Sequence, residues 1–303
     1  MREMWPDAFA DILTRDAPLA PLTSIRIGGT ARLLASPREA DETGRLLRAL
    51  RGVGLGHRVL GGGTNVLVSD GILDDVVIQP TAMDGFEVDG HCVRVGAGLG
   101  TPTLVARASS AGLAGVHVLA GVPGQVGGAL AMNAGTRHGE LAEVVERVLA
   151  RDRDGDVLEL DPGDLAFGYR HAAIPEGAVI CGAVLRLRVA DDVGELRRTV
   201  GRYLKEKNAA QPTRTWNFGC MFKNPPGDLT AGVLLDRAGM KGLARGGAVI
   251  SPVHANFVEN VDDAAAADVQ WLLEQAEEQV WSRCAVRLER EVRVWAASPG
   301  VPQ

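Results

Sequence analysis

A chain of 303 residues with 46% apolar and 23% charged side chains has the make-up of a globular protein, long enough for two domains whose cores need no covalent staples. Its net charge of −6, with Lys and Arg scattered rather than striped, excludes a polyanion surface for DNA or RNA, which needs clustered positive charge. Four cysteines without a CxxC pair read as reduced cytosolic thiols, and six histidines without HExxH or HxxxH spacing argue against a zinc site.

The N-terminus, "MREMWPDAFADILTRDAPLAP", carries acids and no signal-peptide core. Asp7 to Thr14 predicts a short helix. "TSIRIGGTARLLAS" alternates and turns at Gly28-Gly29, as a strand entering a tight bend. "READETGRLLRALRG" puts Leu46, Leu47 and Leu50 on one helical face and ends at Gly52, a C-cap. Short apolar runs cut by glycine follow, "RVLGGGTNVLVSDG" and "DDVVIQP". "FEVDGHCVRVGAG" is a hairpin signal around Asp89-Gly90, and "TPTLVARASSAG" a helix opened by Thr101 with Pro102 at its first position.

Ala108 to Thr136 lacks formal charge, but Pro123 and seven glycines interrupt it, so it reads as buried turns rather than a membrane span. "VVERVLARDRDGDVLELD" is a second hairpin turned at Asp154-Gly155, "AVICGAVLRLRV" a strand, and "GELRRTVGRYLKEKNAA" a basic amphipathic helix. From about Asp191 helices and short strands alternate. A long helix from Asp262 to about Arg283 carries Val269, Leu272, Leu273, Ala276 and Val280 at helical spacing, and "AVRLEREVRVWA" is a closing strand. The mixture says α+β rather than a regular βαβ succession, with a boundary near 190.

Two stretches look built for backbone approach to a ligand. In Gly61-Gly62-Gly63-Thr64-Asn65, consecutive glycines leave successive N–H groups free to converge on phosphate oxygens, and Thr64 and Asn65 add side-chain bonds. "AGVPGQVGGALAMNAG" carries Gly121, Pro123, Gly124, Gly127 and Gly128 ahead of a helical turn, which puts amides beside an anion or a flavin edge. One such loop alone reads as a turn; two, both abutting apolar strands, favour a nucleotide cofactor. "VRVGAGLGT" offers only GxGxG with no acid about 20 residues on, so a Rossmann domain is rejected. Cys220, in the glycine-flanked turn "NFGCMFKNP", is open to four readings: buried small hydrophobe, metal ligand, nucleophile or proton donor.

"TSIRIGGTA", "LGGGTNVLVSDG", "GLAGVHVLAGVPGQVGGALAMNAG", "FGYR", "GCMFKNP", "AGVLLDRAGMKG", "GGAVISPVHANFVEN" and "LEREV", in that order, resemble the UDP-N-acetylenolpyruvoylglucosamine reductase family, from about Pro21 to Trp295. The resemblance implies a two-part FAD-binding domain of the PCMH/vanillyl-alcohol-oxidase type over residues 21–190 (parts about 21–80 and 81–190), after an extension 1–20. A C-terminal α+β substrate-binding domain follows over 191–303. It implies bound FAD, NADPH as hydride donor, a nucleotide-sugar substrate and a cytoplasmic monomer or weak oligomer with no nucleic-acid or membrane partner. Gly61 to Asn65 would bind the FAD pyrophosphate, and Gly121, Val122, Pro123, Gly124, Gly127, Gly128 and Asn133 would line the rest of the cofactor. Arg170, Cys220 and Glu291 fall on its catalytic positions, and Tyr169, Lys223 and Asn224 on substrate-binding ones. The absence of a tyrosine-bearing insertion places the chain in the shorter class.

The family's reaction asks for a stabiliser of an enolate-like charge and a donor of one proton to carbon. A guanidinium binds a carboxylate bidentately and gains as charge grows there, which suits Arg170. A thiol with an ordinary pKa near 8.5 is protonated at neutral pH yet far more acidic than a hydroxyl, which suits Cys220, where most family members carry serine. Cys92, Cys181 and Cys284 take the inert reading. Strand alternation puts Glu289 and Glu291 on one face, so only the family match selects Glu291, which must be protonated or position a water. Ala172 and Val253 depart from the family's usual serine and lysine. Two rival readings remain: a flavin-dependent paralogue acting on another enolpyruvyl nucleotide, or as a sugar or alcohol oxidase, and a non-catalytic scaffold.

Overall fold

The computed structural model describes residues 9–297. The described residues divide into two compact units: 9–15, 33–62 and 75–205 in the first, and 16–32, 63–74 and 206–297 in the second.

In the first unit an antiparallel sheet has the strand order Val157–Leu160, Val145–Arg151, Val179–Arg186, Cys92–Gly96, Phe86–Asp89. Both Asp-Gly turns expected from sequence close its hairpins. Asp89 pairs with Cys92 around Gly90 at φ +59°, and Arg151 pairs with Val157 above Gly155 at φ +81°. Inward positions Val93, Val95, Val148, Ala183 and Leu185 bury themselves against Leu104, Val105 and Ala108 of the helix Thr101–Ser110 and against Val126 and Leu130. A smaller core forms where the helix Ala40–Gly52 lays Leu46, Leu47 and Leu50 on Leu33, Ala35, Val76 and Ile78, the last two from a strand parallel to His57–Val59. That helix ends at Gly52 as its spacing predicts, but the left-handed residue is Gly54, at φ +69°.

In the second unit the helices Ala231–Arg237 and Ala266–Cys284 cover a three-stranded antiparallel sheet, Ala244–Arg245, Ala248–Ile250 and Val258–Asn260. Val269, Leu272, Leu273, Ala276 and Val280, the stripe read from the sequence, are all fully buried with Phe218, Met221 and Phe222. Val66–Val68 pairs in parallel with Arg293–Trp295.

Three expectations change. Asp7 and Ala8 lie outside the described residues. The rest of the expected first helix is a turn at Phe9 to Ile12 followed by the strand Leu13–Pro18, because this segment spends its backbone hydrogen bonds on the neighbouring strand Thr30–Ala35. The long helix starts at Ala266 rather than Asp262. Asp263 sits at φ +46°, and Asp70 Oδ1 takes the Ala266 N–H at 2.9 Å. The closing strand is regular only over Arg293–Trp295, since residues 286–292 face an irregular turn and make one isolated bridge, Arg290 to Phe222, instead of a ladder.

Candidate active site

In the first unit Gly61 and Gly62, the opening pair of the first glycine stretch, lie against the second stretch. A Cβ at Gly62 would lie 3.0 Å from the Gly124 Cα, so the close approach of the two backbones favours glycine there. The second loop is pinned from behind: Thr101 Oγ1 donates to the Val122 and Gly124 carbonyls at 2.9 and 3.0 Å. The N–H groups of Val126 and Gly127 donate to Leu99 and Ala97. The GxGxG run rejected as a dinucleotide fingerprint is thus the scaffold of this loop.

The loops fit a polar cofactor. Gln125 Oε1 is buried and, among the described residues, has no hydrogen-bond partner, a state that costs about 1–3 kcal/mol unless a ligand answers it. It stands 3.6 Å from where a Gly61 Cβ would be, and the position beyond the Gly128 Cα is open. Gln125 escaped the sequence reading; its one signal is an amide inside an otherwise apolar, glycine-rich run. Asn133, expected at the cofactor, is buried and commits both amide hydrogens to protein partners, Glu140 Oε2 at 2.8 Å and the Gly168 carbonyl at 3.0 Å.

Tyr169 and Arg170 form the tip of a two-residue turn whose ends, Gly168 and His171, exchange both backbone hydrogen bonds. Arg170 holds φ +54°, a left-handed conformation costing a non-glycine residue about 1–2 kcal/mol. Strain of this kind persists where surrounding contacts over-determine the residue. Here Arg170 Nη2 donates to the Gly135 carbonyl at 3.0 Å, and the guanidinium lies 5.1 Å from the exposed Tyr169 ring centroid.

In the second unit the turn carrying Cys220 is clamped from both sides. Met221 N–H donates to the Asn256 carbonyl at 2.9 Å, and the buried Asn256 amide takes the Phe222 N–H at 2.9 Å while donating to the Phe222 carbonyl at 2.8 Å. On the other side Glu291 N–H donates to the Met221 carbonyl at 2.8 Å and Lys223 N–H to the Glu289 carbonyl at 2.9 Å. This zipper lays the turn that carries Cys220 along the segment of Glu291, from about seventy positions away in the chain. Asn65 joins them, its Nδ2 donating to the Glu291 carbonyl at 3.1 Å. Ser24, which sequence reasoning missed, bonds the Gly63 and Asn217 carbonyls through one hydroxyl at 3.1 and 2.7 Å. Gly63, at φ +63°, has no room for a Cβ, which would meet the Leu22 carbonyl at 2.2 Å. Thr64 follows at once, its carbonyl 3.8 Å from a Cβ placed on Gly219.

The two candidate carboxylates separate here. Glu289 is largely exposed and pairs with Lys223 Nζ at 2.6 Å, whereas Glu291 is half-buried. Asn224 turns its Oδ1 to the Ala231 N–H at the start of a helix. Cys220 is half-buried; Cys181 is buried, and burial pushes its thiol up to about 11, which makes it inert at neutral pH.

Residues 31–161 match the model of an FAD binding domain. With the paired glycine loops, this defines a flavin-dependent oxidoreductase of α+β fold. Residues 211–295 match the C-terminal domain of UDP-N-acetylenolpyruvoylglucosamine reductase. An Anaeromyxobacter dehalogenans (strain 2CP-C) reductase of that name is 42% identical, covering 94% of this chain and 86% of its own. UDP-N-acetylenolpyruvoylglucosamine reductase 2 of Symbiobacterium thermophilum is 39% identical over 96% and 94%. The crystal structure of the Thermus caldophilus reductase superimposes with a TM-score of 0.81 at 37% identity, covering 92% of this chain and 98% of that one. The chain belongs to the UDP-N-acetylenolpyruvoylglucosamine reductase family. Among the described residues, no helix is long and apolar enough to cross a membrane.

Proposed function

We propose that the protein reduces UDP-N-acetylglucosamine enolpyruvate to UDP-N-acetylmuramate at the expense of NADPH, as a cytoplasmic supplier of peptidoglycan precursor. The observation that carries the reading is the zipper joining the turn of Cys220 to the segment of Glu291, in a chain of this family. Residues 21–190 serve the cofactor and 191–303 the nucleotide sugar. Gly61 to Asn65 and Gly121 to Gly128 would hold FAD, which when bound supplies hydride, drawn from NADPH, to the terminal carbon of the enolpyruvyl double bond.

The chain's own residues meet what that hydride leaves behind. Arg170 binds the substrate carboxylate, and its fixed positive charge gains most as negative charge spreads onto those oxygens. The strained turn and the Gly135 carbonyl aim the guanidinium in advance, so little reorganisation is needed. Cys220 delivers the proton to the carbon bearing the carboxylate; the thiolate left behind is reprotonated by solvent. Glu291, half-buried, acts as a protonated donor or orients a water beside that carbon. Tyr169, Lys223 and Asn224 contact the nucleotide-sugar portion.

The test is anaerobic. NADPH should bleach the flavin absorbance, and UDP-N-acetylglucosamine enolpyruvate should restore it within one turnover. Protein that takes up no flavin, or reduced flavin that the enolpyruvyl compound leaves reduced, ends the reading.

A further inference from the structure

The hairpin formed by Gly135–Thr136 and Gly139–Glu140 touches the Tyr169–Arg170 turn at two points. At one, Gly135 offers its carbonyl to the Arg170 guanidinium at 3.0 Å. At the other, Asn133 donates to the carbonyl of Gly168, the residue on which the two-residue turn closes, at 3.0 Å. Asn133 is itself over-determined. It is 1% exposed, and it holds φ +40° without being glycine. Its second amide hydrogen goes to Glu140 Oε2 at 2.8 Å, and its Oδ1 accepts the Ala142 N–H at 3.0 Å. One carboxamide therefore ties both flanks of the hairpin to the base of the turn, while the hairpin's own backbone takes the guanidinium.

We propose that Asn133 is a positioning residue for Arg170: it fixes the base of the Tyr169–Arg170 turn to the same hairpin whose Gly135 carbonyl aligns the guanidinium. The proposal rests on the reading of Arg170 as the carboxylate-binding group. It adds a residue that touches neither substrate nor the reacting carbon. Buried amides whose donors are all used specify a single arrangement of the segments they join, and loosening one end of a short turn frees the tip.

The experiment is a double-mutant cycle on the flavin-loaded enzyme. Asn133→Gly suits φ +40° and deletes the amide. Asn133→Asp tolerates the same backbone and keeps the acceptor for Ala142, but it has at most one hydrogen where the amide supplies two, so it cannot hold both Glu140 and Gly168. Each should slow re-oxidation of reduced flavin by the enolpyruvyl substrate on the order of 10- to 100-fold, the size of effect a misplaced catalytic group produces. Scaled to the flavin each variant binds, the rate of reduction by NADPH should fall far less than the rate of re-oxidation, because the first half-reaction needs no carboxylate clamp. In an Arg170→Ala background either substitution should change re-oxidation by less than about twofold, because the group it positions is gone. Independently of activity, backbone hydrogen exchange in a peptide spanning residues 165–173 should quicken in both variants. Equal losses of Asn133→Gly and Asn133→Asp with and without Arg170 would overturn the proposal, as would parental re-oxidation in the single variants. Parental re-oxidation in Arg170→Ala itself would instead remove the reading of Arg170 on which the proposal stands.

Discussion

Replacing Asn256 by alanine should damage the protein more than any exposed asparagine can. The side chain is 3% exposed and makes two hydrogen bonds, both to Phe222, which is itself 1% exposed. Alanine leaves the Phe222 N–H and carbonyl unpaired in a core that offers them no water, and each such orphan costs about 1–3 kcal/mol. The Met221–Asn256 bond uses the backbone and survives. The expected loss is therefore about 2–6 kcal/mol, a large share of the roughly 5–15 kcal/mol that stabilises a domain. With an m-value near 2 kcal/mol/M, the urea midpoint should fall by about 1–3 M. Asn224→Ala is the control: that residue is exposed and its Oδ1 accepts the Ala231 N–H at a helix start, so it should cost at most about 1 kcal/mol. Because Cys220 lies two positions before Phe222, flavin re-oxidation by the enolpyruvyl substrate should also slow, while reduction by NADPH should not. A midpoint for Asn256→Ala equal to that of Asn224→Ala would refute the reasoning, since it would mean that Phe222 finds other partners at no cost.

Cys220→Ala should abolish turnover on the enolpyruvyl substrate while NADPH still bleaches the flavin, and Cys220→Ser should retain much of the activity; near-parental turnover in the alanine variant would place the proton donor elsewhere. Glu289→Gln should leave kcat within about threefold, because that carboxylate is exposed and serves only as partner to Lys223. Glu291→Gln should cost about 10²–10⁴, the scale of a lost acid–base group, and the reverse ranking would exchange the two assignments. Burial lowers the His254 pKa, with the Lys241 charge adding to it, and burial likewise lowers those of His57 and His117. The unfolded chain then binds protons first, so stability is fully present above about pH 6.5 and declines as pH falls. His254→Phe should flatten the dependence of the urea midpoint between pH 7 and 5, and an unchanged slope would count against it. Cys181, its thiol raised to about 11, should resist iodoacetamide in native protein at pH 8 and react only after unfolding, as mass spectrometry of the labelled peptide will show.

Much of this protein is legible along the chain because it is locally encoded. Asp-Gly turns, the leucine stripe of Ala40–Gly52 and the apolar spacing of Ala266–Cys284 depend on backbone preference and on period, which neighbouring residues set. The glycine stretches and the order of family motifs are likewise one-dimensional, and they sufficed to name the cofactor class. The tertiary structure decided what depends on distant residues. It alone paired Glu289 with Lys223 and set Glu291 against Met221, a choice that alternation leaves open because both carboxylates share a strand face. It cut the closing strand to three residues, since the partner at 220–223 is a turn. It also gave Asn133 to Gly168 and Glu140, and left Gln125 Oε1 buried and unanswered beside the glycine loops. Hydrogen bonds between segments tens to hundreds of residues apart carry no periodic trace, because their geometry exists only once the chain has closed on itself.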